Sequence, residues 1–430
     1  MSTLHSNNAP DSSVVKPHFI FGALSLLVLS VMIILADTNL LSSYFNNKIV
    51  AITHMAVLGW ATNIVFGALY QLIPVVFETS LFSEKLAKVT YWLSSFSVLF
   101  LTYAFWIGAY NNLLIYAALM MFFSLLLFVV NLTLSYKNAK LKNISSKFVI
   151  TAVIWLAITE IIGTLIAFNF KYNFLSEIHL HYLKLHATIG LIGWFLLLII
   201  GVSSILIPMF FVSHQLKNKK LSYAFYFINF GLMVLSVNWF LFHLTNLDLF
   251  LWLSMAIGIA FFISFVYESY KKRMRRVLDV GMKHTMISVL SIILPVIVSL
   301  IIMLGFDFEY ALLLRATTLY GFTIIFGLIT TLILGQTYKT LPFVVWLDIY
   351  AGLVGKTKTP MPRELYSEKI ANIHFYIYLL FILTMIIGFI SNQIWFIRIG
   401  SYLLLLVAIF YNINVFKIIF HKQIIENKDD

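Results

Sequence analysis

The stretch HMAVLGWATNIVFGALYQLIP runs from His54 to Pro74 and carries the pattern that decides the fold. The stretch HATIGLIGWFLLLIIGVSSILIP, from His186 to Pro208, repeats the Gly-Trp pair, the second glycine and the proline at the same spacing. A third stretch has this spacing with leucine in place of tryptophan. The first glycines of the three patterns lie 134 residues apart, at Gly59, Gly193 and Gly327. This period predicts three related units along the chain.

Apolar stretches long enough to cross a bilayer recur along the whole chain. Of its 430 residues, 61% are hydrophobic and only 11% are charged. Twelve spans are predicted, at 18–36, 48–77, 87–108, 112–136, 148–170, 184–213, 221–243, 249–267, 284–304, 311–336, 370–390 and 394–420. The predicted fold class is an all-α membrane protein in which twelve transmembrane helices form three pseudo-symmetric four-helix repeats. One transmembrane domain covers 1–430, with repeats at about 18–136, 148–267 and 284–420.

The basic residues orient the spans. With the N-terminus inside, 24 of the 29 Lys and Arg residues fall in cytoplasmic segments, and the other five are Lys48, Lys171, Lys184, Arg315 and Arg398. This bias predicts that both termini are cytoplasmic. The first apolar run is expected to be a retained span rather than a cleaved signal peptide. The sequence thus predicts a multi-pass protein of the bacterial inner (cytoplasmic) membrane, with the lipid bilayer as its surroundings.

Composition excludes several classes of function. An ordinary soluble enzyme has far more charge, and the net charge of +12 lies in loops rather than in a nucleic-acid-binding patch. The chain has no cysteine. Disulfides, iron–sulfur clusters, thiolate copper sites, covalently attached c-type heme and cysteine nucleophiles are therefore excluded.

Three histidines are predicted near the outer ends of the second, sixth and seventh spans: His54, His186 and His243. Ionisable residues inside spans are costly, which makes these histidines functional candidates. Because neutral imidazole binds heme iron and copper, they are candidate metal ligands. The alternative is an interfacial histidine bonded to backbone or water. The other histidines are expected to be satisfied or solvated at span ends and in loops, namely His5, His18, His179, His181, His214, His284, His374 and His421.

Five further residues complete the candidate site. Glu160 is an acid deep in an apolar span, where a proton path or a hydrogen bond to a ligand histidine would use it. Trp60 and Trp194 are either interfacial anchors or packing partners of a cofactor. Arg315 and Arg398 are outer-side cations that could pair with heme propionates, or with Asp307, Glu309 or lipid headgroups.

Twelve spans, cytoplasmic termini, four-helix units and outer-side histidines on spans two and six resemble subunit I of the heme-copper oxidases. In that family, histidines on helices two and ten bind the low-spin heme, and a second histidine on helix ten binds the high-spin heme. Histidines on helices six and seven bind copper. The resemblance implies that His54 is the helix-two heme ligand and His186 the helix-six ligand. It also implies that His243 stands where the family has an adjacent pair.

This chain departs from the family at decisive positions. Its tenth span, from Leu312 through Gln336, contains no histidine, so both helix-ten heme ligands are missing. The glutamate and tyrosine that follow the helix-six histidine in many oxidases are also absent. A complete oxygen reductase is therefore not expected. The chain looks more like the divergent subunit-I-like proteins that have the Gly-Trp…Pro pattern.

The resemblance implies heme b as a cofactor, with copper as a second. The implied role is electron transfer, sensing or respiratory accessory work beside other respiratory-chain subunits or a redox partner. Any catalysis would be that of an oxidoreductase. A transporter or permease and a cofactor-free subunit of a membrane complex stay open, although common twelve-span carriers repeat as six plus six. A basic loop from Lys339 to Lys369 is predicted to lie on the cytoplasmic membrane surface.

Overall fold

The computed structural model describes residues 8–242, 244–304 and 309–423. This part of the chain forms twelve long apolar helices and no β-strand, as the sequence predicted for an all-α, multi-span membrane protein. The helices are α1 Ser12–Leu41, α2 Asn47–Val76, α3 Glu84–Ile107, α4 Asn112–Lys137, α5 Ile144–Tyr172, α6 His179–Phe211, α7 Lys219–Phe242, α8 Asn246–Lys271, α9 Val280–Met303, α10 Tyr310–Leu353, α11 Glu368–Ser391 and α12 Ile394–Ile419.

Polar side chains mark where many of these helices start. The first turn of a helix has backbone N–H groups without partners in the helix, and a side-chain oxygen just before it can accept from one of them. Seven described helices have such a cap: Asp11, Asn46, Ser83, Asn111, Asn143, Asp279 and Ser367. Each of these seven helices therefore starts directly after its capping residue.

The exposed surface of the spans is apolar. On α3, Trp92, Phe96 and Tyr103 point outward, with 50–60% of each side chain exposed, whereas Ser94 and Ser97 of the same helix are buried. Outward-facing aromatic residues with inward-facing hydroxyls suit a helix whose solvent is lipid, since lipid offers no hydrogen bonds. The burial pattern thus agrees with a membrane location.

The tenth helix is longer than predicted. The sequence placed its end at Gln336 and a surface loop from Lys339 to Lys369, but the helix continues to Leu353. Pro342 lies inside this helix. A proline removes one backbone hydrogen-bond donor, but a helix can continue past it when packing of the neighbouring residues compensates for the lost bond. Val345, beyond the proline, is fully buried and supplies such packing. The prediction of a loop starting at Lys339 was therefore wrong.

The first of two compact units consists of Met1–Leu72, Leu278–Ile292 and Glu309–Asp430. It contains α1, α10, α11, α12, most of α2 and the first half of α9. Within it, α12 packs on both α11 and α1, and α9 packs on α10. The side chains of Tyr338, Tyr378 and Tyr411 are buried in its interior.

The second unit consists of Ile73–Val277 and Ile293–Phe308. Here α3 packs on α4, α4 on α5, α5 on α6, and α7 on α8. At one end of α7 and α8, Asp248 accepts a 2.9 Å hydrogen bond from Nε1 of Trp239. The ammonium of Lys184 on α6 lies 3.7 Å from the Trp239 ring centroid. These contacts tie together one end of α6, α7 and α8.

Three spans contain a π-helical segment of eight residues. The segments start 134 residues apart and have the first motif glycine as their fifth residue: Met55–Thr62 in α2, Ile189–Leu196 in α6 and Thr323–Thr330 in α10. A π-helix is rare, and it widens the helix so that side chains turn relative to those of the next α-helical turn. The sequence motif therefore coincides with a recurrent local distortion.

At the second glycine of each motif, the helix that precedes in the chain packs directly against the glycine. A Cβ atom added there would lie 2.8 Å from the Cβ of His18 at Gly67, 2.8 Å from the Cβ of Phe148 at Gly201, and 2.5 Å from the Cβ of His284 at Gly335. Only glycine allows so close an approach of two helices. The helix pairs α1–α2, α5–α6 and α9–α10 thus meet at corresponding positions.

Candidate functional site

The half-buried imidazole of His54 lies on α2, in the first unit. Its Nδ1 is 2.8 Å from the backbone carbonyl oxygen of Val50, one turn earlier. A carbonyl oxygen only accepts, so Nδ1 carries the hydrogen and donates it. In the neutral ring the lone pair is then on Nε2. Metal-binding histidines are commonly oriented in this way.

His186 has the same arrangement on α6, in the second unit. Its Nδ1 is 3.0 Å from the carbonyl oxygen of Thr159 on α5, which again makes Nδ1 the donor and Nε2 the acceptor. The ring rests on Gly163, where an added Cβ would lie 2.7 Å from Cε1 of His186. A neighbouring helix therefore sets both the tautomer and the orientation of this imidazole.

Glu160 follows Thr159 directly on α5, in the unit that contains His186. One of its carboxylate oxygens accepts a 3.4 Å hydrogen bond from the hydroxyl of Thr164, one turn later. Glu160 thus belongs to the segment of α5, Thr159 to Gly163, that the His186 imidazole contacts. The third predicted ligand, His243, lies outside the described residues.

The two motif tryptophans are buried among other aromatic side chains. Trp60 is fully buried, and its Nε1 donates to the hydroxyl of Thr330 at 3.2 Å. It also meets Tyr411 edge-on, with ring centroids 5.2 Å apart. Trp194 meets Phe128 edge-on at 6.0 Å. Both tryptophans lie in the protein interior, whereas an interfacial anchor would lie at the surface.

The two arginines predicted on the outer side have different surroundings. Arg398 makes a two-pronged ion pair with Asp37, at 2.8 Å from Nε and 2.9 Å from Nη2. Asp37, at the end of α1, is thus an acidic partner of Arg398 that was not predicted from the sequence, and Asp307 lies outside the described residues. Nε of Arg315 donates to the carbonyl of Ala311 in its own helix, at 3.3 Å.

Three histidines expected to be satisfied or solvated are completely buried. His18, His284 and His374 each have 0% exposure, and each lies in the first two turns of an odd-numbered span of the first unit. His18 forms a 3.3 Å hydrogen bond with the side chain of Asn63. Of the two alternatives, a satisfied or a solvated histidine, solvation does not apply to these three, and His18 is satisfied by Asn63.

His284 and His374 form a pair in the interior of the first unit. Their ring centroids lie 5.5 Å apart, and the rings are inclined by 43°. Neither ring nitrogen of His284 has a hydrogen-bond partner among the described residues, and His374 has only the backbone of Ala371 nearby, outside normal hydrogen-bond geometry. A buried polar group left unsatisfied costs about 1–3 kcal/mol, and buried polar groups without protein partners commonly bind water or an ion.

Aromatic rings enclose the histidine pair. Phe375 meets the His284 ring edge-on at 4.9 Å, and Tyr378 lies 5.9 Å from it. The rings of Tyr338 and Tyr411 each lie 6.1 Å from that of His374. The pair is thus surrounded by side chains that exclude bulk water.

Two of these histidines lie at corresponding positions of the repeated motif. His18 and His284 face corresponding glycines in the motif, Gly67 and Gly335, whereas Phe148 faces the middle glycine. Recognising this correspondence requires knowing the register between helices. The sequence periodicity alone does not show that register.

No group of three or more His, Cys, Asp or Glu side chains that could hold a metal ion is present among residues 8–242, 244–304 and 309–423. His54 and His186 thus supply single imidazoles, and His284 and His374 supply a pair. No protein-family model and no curated protein matches the chain.

Proposed function

We propose that this chain is a bacterial inner-membrane protein with the architecture of heme-copper oxidase subunit I that binds heme b and serves electron transfer or sensing in a respiratory membrane. The chain lacks the helix-ten histidines that an oxygen reductase of this family uses as heme ligands. The proposal rests mainly on the hydrogen bonds of His54 and His186, which give both imidazoles the same tautomer. Each donates its Nδ1 hydrogen to a backbone carbonyl and so directs the basic character of the ring to Nε2.

The proposed architecture has three repeats of four helices, with both termini in the cytoplasm. Its support is the recurrence of the π-helical segment at the 134-residue period. The close helix contacts at Gly67, Gly201 and Gly335 support it independently, because they fall at corresponding positions of three helix pairs. Inverted six-plus-six repeats would not produce this period.

The number of available donors favours heme over a metal held only by protein. Zinc and Cu(II) sites commonly need three or four protein ligands, and no such group lies in the described part of the chain. Heme iron takes four nitrogens from its porphyrin and needs only one or two from the protein. The residues therefore fit a heme that would be held by one imidazole, from His54 or His186. They do not fit the bis-histidine site of the oxidases, because α10 contains no histidine.

Bound heme would supply one-electron redox chemistry. The contribution of this chain would be to orient an imidazole and to exclude water. The Val50 carbonyl fixes the ring of His54, and the Thr159 carbonyl and Gly163 fix that of His186. Glu160 lies on the same segment of α5 as Thr159 and could hold or pass a proton beside His186.

The proposal is tested by absorption spectra of the purified protein, oxidised and dithionite-reduced, with metal analysis of the same sample. We expect reduced b-type bands at close to one heme per chain. His54→Ala or His186→Ala should remove or shift these bands, whereas His214→Ala, at an exposed position, should not. A colourless wild-type protein would contradict heme binding and favour transport or a cofactor-free subunit.

The proposed orientation can be tested with single cysteines, because the chain has none of its own. Asn138 and Ser176 are exposed beyond opposite ends of α5: Asn138 lies between α4 and α5, and Ser176 lies between α5 and α6. We expect a membrane-impermeant maleimide to label Ser176→Cys in intact cells and Asn138→Cys only after permeabilisation. The reverse pattern would show that the termini are outside.

A further inference from the structure

We propose that His284 and His374 bind one Cu(I) ion between their rings, in a site separate from His54 and His186. Both imidazoles are 0% exposed, and they come from different spans, α9 and α11. Their ring centroids are 5.5 Å apart, close enough for one ion to contact a nitrogen of each ring. The proposal is independent of heme binding.

The geometry around the pair requires a small occupant. Phe375 packs edge-on against His284 at 4.9 Å, and Tyr378 lies 5.9 Å from it. On the helix side, an added Cβ at Gly335 would lie only 2.5 Å from the Cβ of His284. A porphyrin could not enter between rings held in this way. A single ion could occupy the space with smaller adjustments.

The donor set selects the kind of ion. Two neutral imidazoles bring no negative charge, and no third His, Cys, Asp or Glu joins them among the described residues. Zinc is normally bound by four ligands and magnesium or calcium by several oxygens, so neither matches this pair. Cu(I) accepts two nearly collinear nitrogen ligands and carries only one positive charge, which suits an apolar interior.

Charged residues lie close to the site at the start of α9. Asp279 caps this helix and forms an ion pair with Lys339, and the ammonium of Lys283 lies 6.0 Å from the Phe375 ring centroid. The site thus lies within two turns of the polar end of the span. An ion would have to cross only a short apolar distance to reach it from that end.

Titration of the purified full-length protein with Cu(I) under anaerobic conditions, in competition with a coloured Cu(I) chelator, tests the proposal. A background with His54→Ala and His186→Ala removes any copper held there. We expect one Cu(I) per chain in this background. Loss of an outer partner already weakens metal sites about 10–100-fold, so His284→Gln or His374→Gln should weaken binding by more than about 100-fold.

Two comparisons make the result specific. His214→Gln, at an exposed histidine, should leave Cu(I) binding unchanged. The double variant His284→Gln/His374→Gln should bind no more weakly than either single variant, because both histidines hold the same ion. Unchanged binding in the single variants would overturn the proposal.

X-ray absorption of the copper-loaded background protein provides a test that needs no substitution at the site. We expect the edge shape of two-coordinate Cu(I) with two imidazole neighbours. A spectrum of three or four ligands, or the absence of bound copper, would overturn the proposal. Neither result bears on heme, which is measured separately by the optical spectrum of the wild-type protein.

Discussion

Gly335 lies directly against the Cβ atom of His284, where a methyl group added to the glycine would come within 2.5 Å. The same methyl group would lie 2.7 Å from the carbonyl oxygen of Gly281. Neither a Cβ atom nor a backbone oxygen can move by changing rotamer, so α9 and α10 would have to separate. This contact couples the packing of the two helices to the position of the His284 imidazole.

Gly335→Ala is therefore expected to destabilise the protein by about 1–3 kcal/mol, the usual cost of overpacking. It should also weaken Cu(I) binding, since the His284 ring would shift. Unfolding in denaturing detergent measures the first effect, and chelator competition measures the second. Gly321→Ala is the matched control, because nothing lies within 4 Å of an added Cβ at this helical glycine. It should be neutral or stabilising by up to about 1 kcal/mol. Equal destabilisation by both changes would contradict the packing argument.

Trp60 and Thr330 are expected to be energetically coupled. Thr330→Val removes the hydroxyl that accepts the 3.2 Å hydrogen bond from Trp60 Nε1. Since interhelical hydrogen bonds in membranes average about 0.6 kcal/mol in double-mutant cycles, we expect a coupling energy of that order between Thr330→Val and Trp60→Phe. Thr317→Val is the control, because this hydroxyl bonds to Leu313 in its own helix. Additive effects of the Trp60 and Thr330 changes would show that the bond contributes nothing.

Arg398 is expected to matter for structure rather than for heme binding. Its guanidinium is paired with both carboxylate oxygens of Asp37 and lies 5.5 Å from the Trp395 ring centroid. Arg398→Gln should lower the thermal unfolding midpoint and leave the heme content unchanged, and Asp37→Asn should have a similar effect. Because the pair is partly exposed, the effect should shrink at high salt. Loss of heme in Arg398→Gln alone would instead point to a propionate contact.

Stability is expected to fall as the pH drops, in part through His421. Partial burial and the nearby Lys417 lower the pKa of His421 below its ordinary value of 6.5. As the pH falls through that value, the unfolded chain takes up a proton that the folded chain resists, so folding becomes less favourable. His421→Gln should reduce the loss of stability between about pH 7.5 and about pH 5.5, measured by thermal unfolding.

The reference for this measurement is His214→Gln, at an exposed histidine. It controls for the loss of a histidine from an exposed position. His421 also forms a 2.8 Å hydrogen bond with the hydroxyl of Tyr350. Tyr350→Phe removes this bond and should therefore lower the stability of the folded protein at neutral pH. A pH dependence identical in all three variants would show that His421 does not titrate on unfolding.

The positions of the twelve spans could be predicted because apolar length is a local property of the sequence. The predictions were least accurate at α10, where Pro342 was placed in a surface loop although the helix continues to Leu353. Whether a proline ends a helix depends on the packing of the residues beyond it. Val345 and Tyr350 are buried by other parts of the first unit, and the sequence does not show this.

The candidate site was predictable only in part. His54 and His186 became candidates because each lies near the end of an apolar span, where an ionisable side chain is costly, but the carbonyl partners that set their tautomers could not be read from the sequence. His284 and His374 were placed among the satisfied or solvated histidines of span ends and loops. Their pairing depends on the rotation of two helices about their axes, which brings together residues distant in the sequence.

The sequence by itself determined the fold class, the number of spans and the positions of the Gly-Trp…Gly…Pro motifs. These follow from composition and spacing along the chain. Only the tertiary structure decided that the motif tryptophans are interior, that Arg398 pairs with Asp37, and that His284 and His374 share a buried aromatic cluster. The reason is physical: hydrophobic length places a helix in the bilayer, whereas contacts between helices determine which of its side chains meet one another.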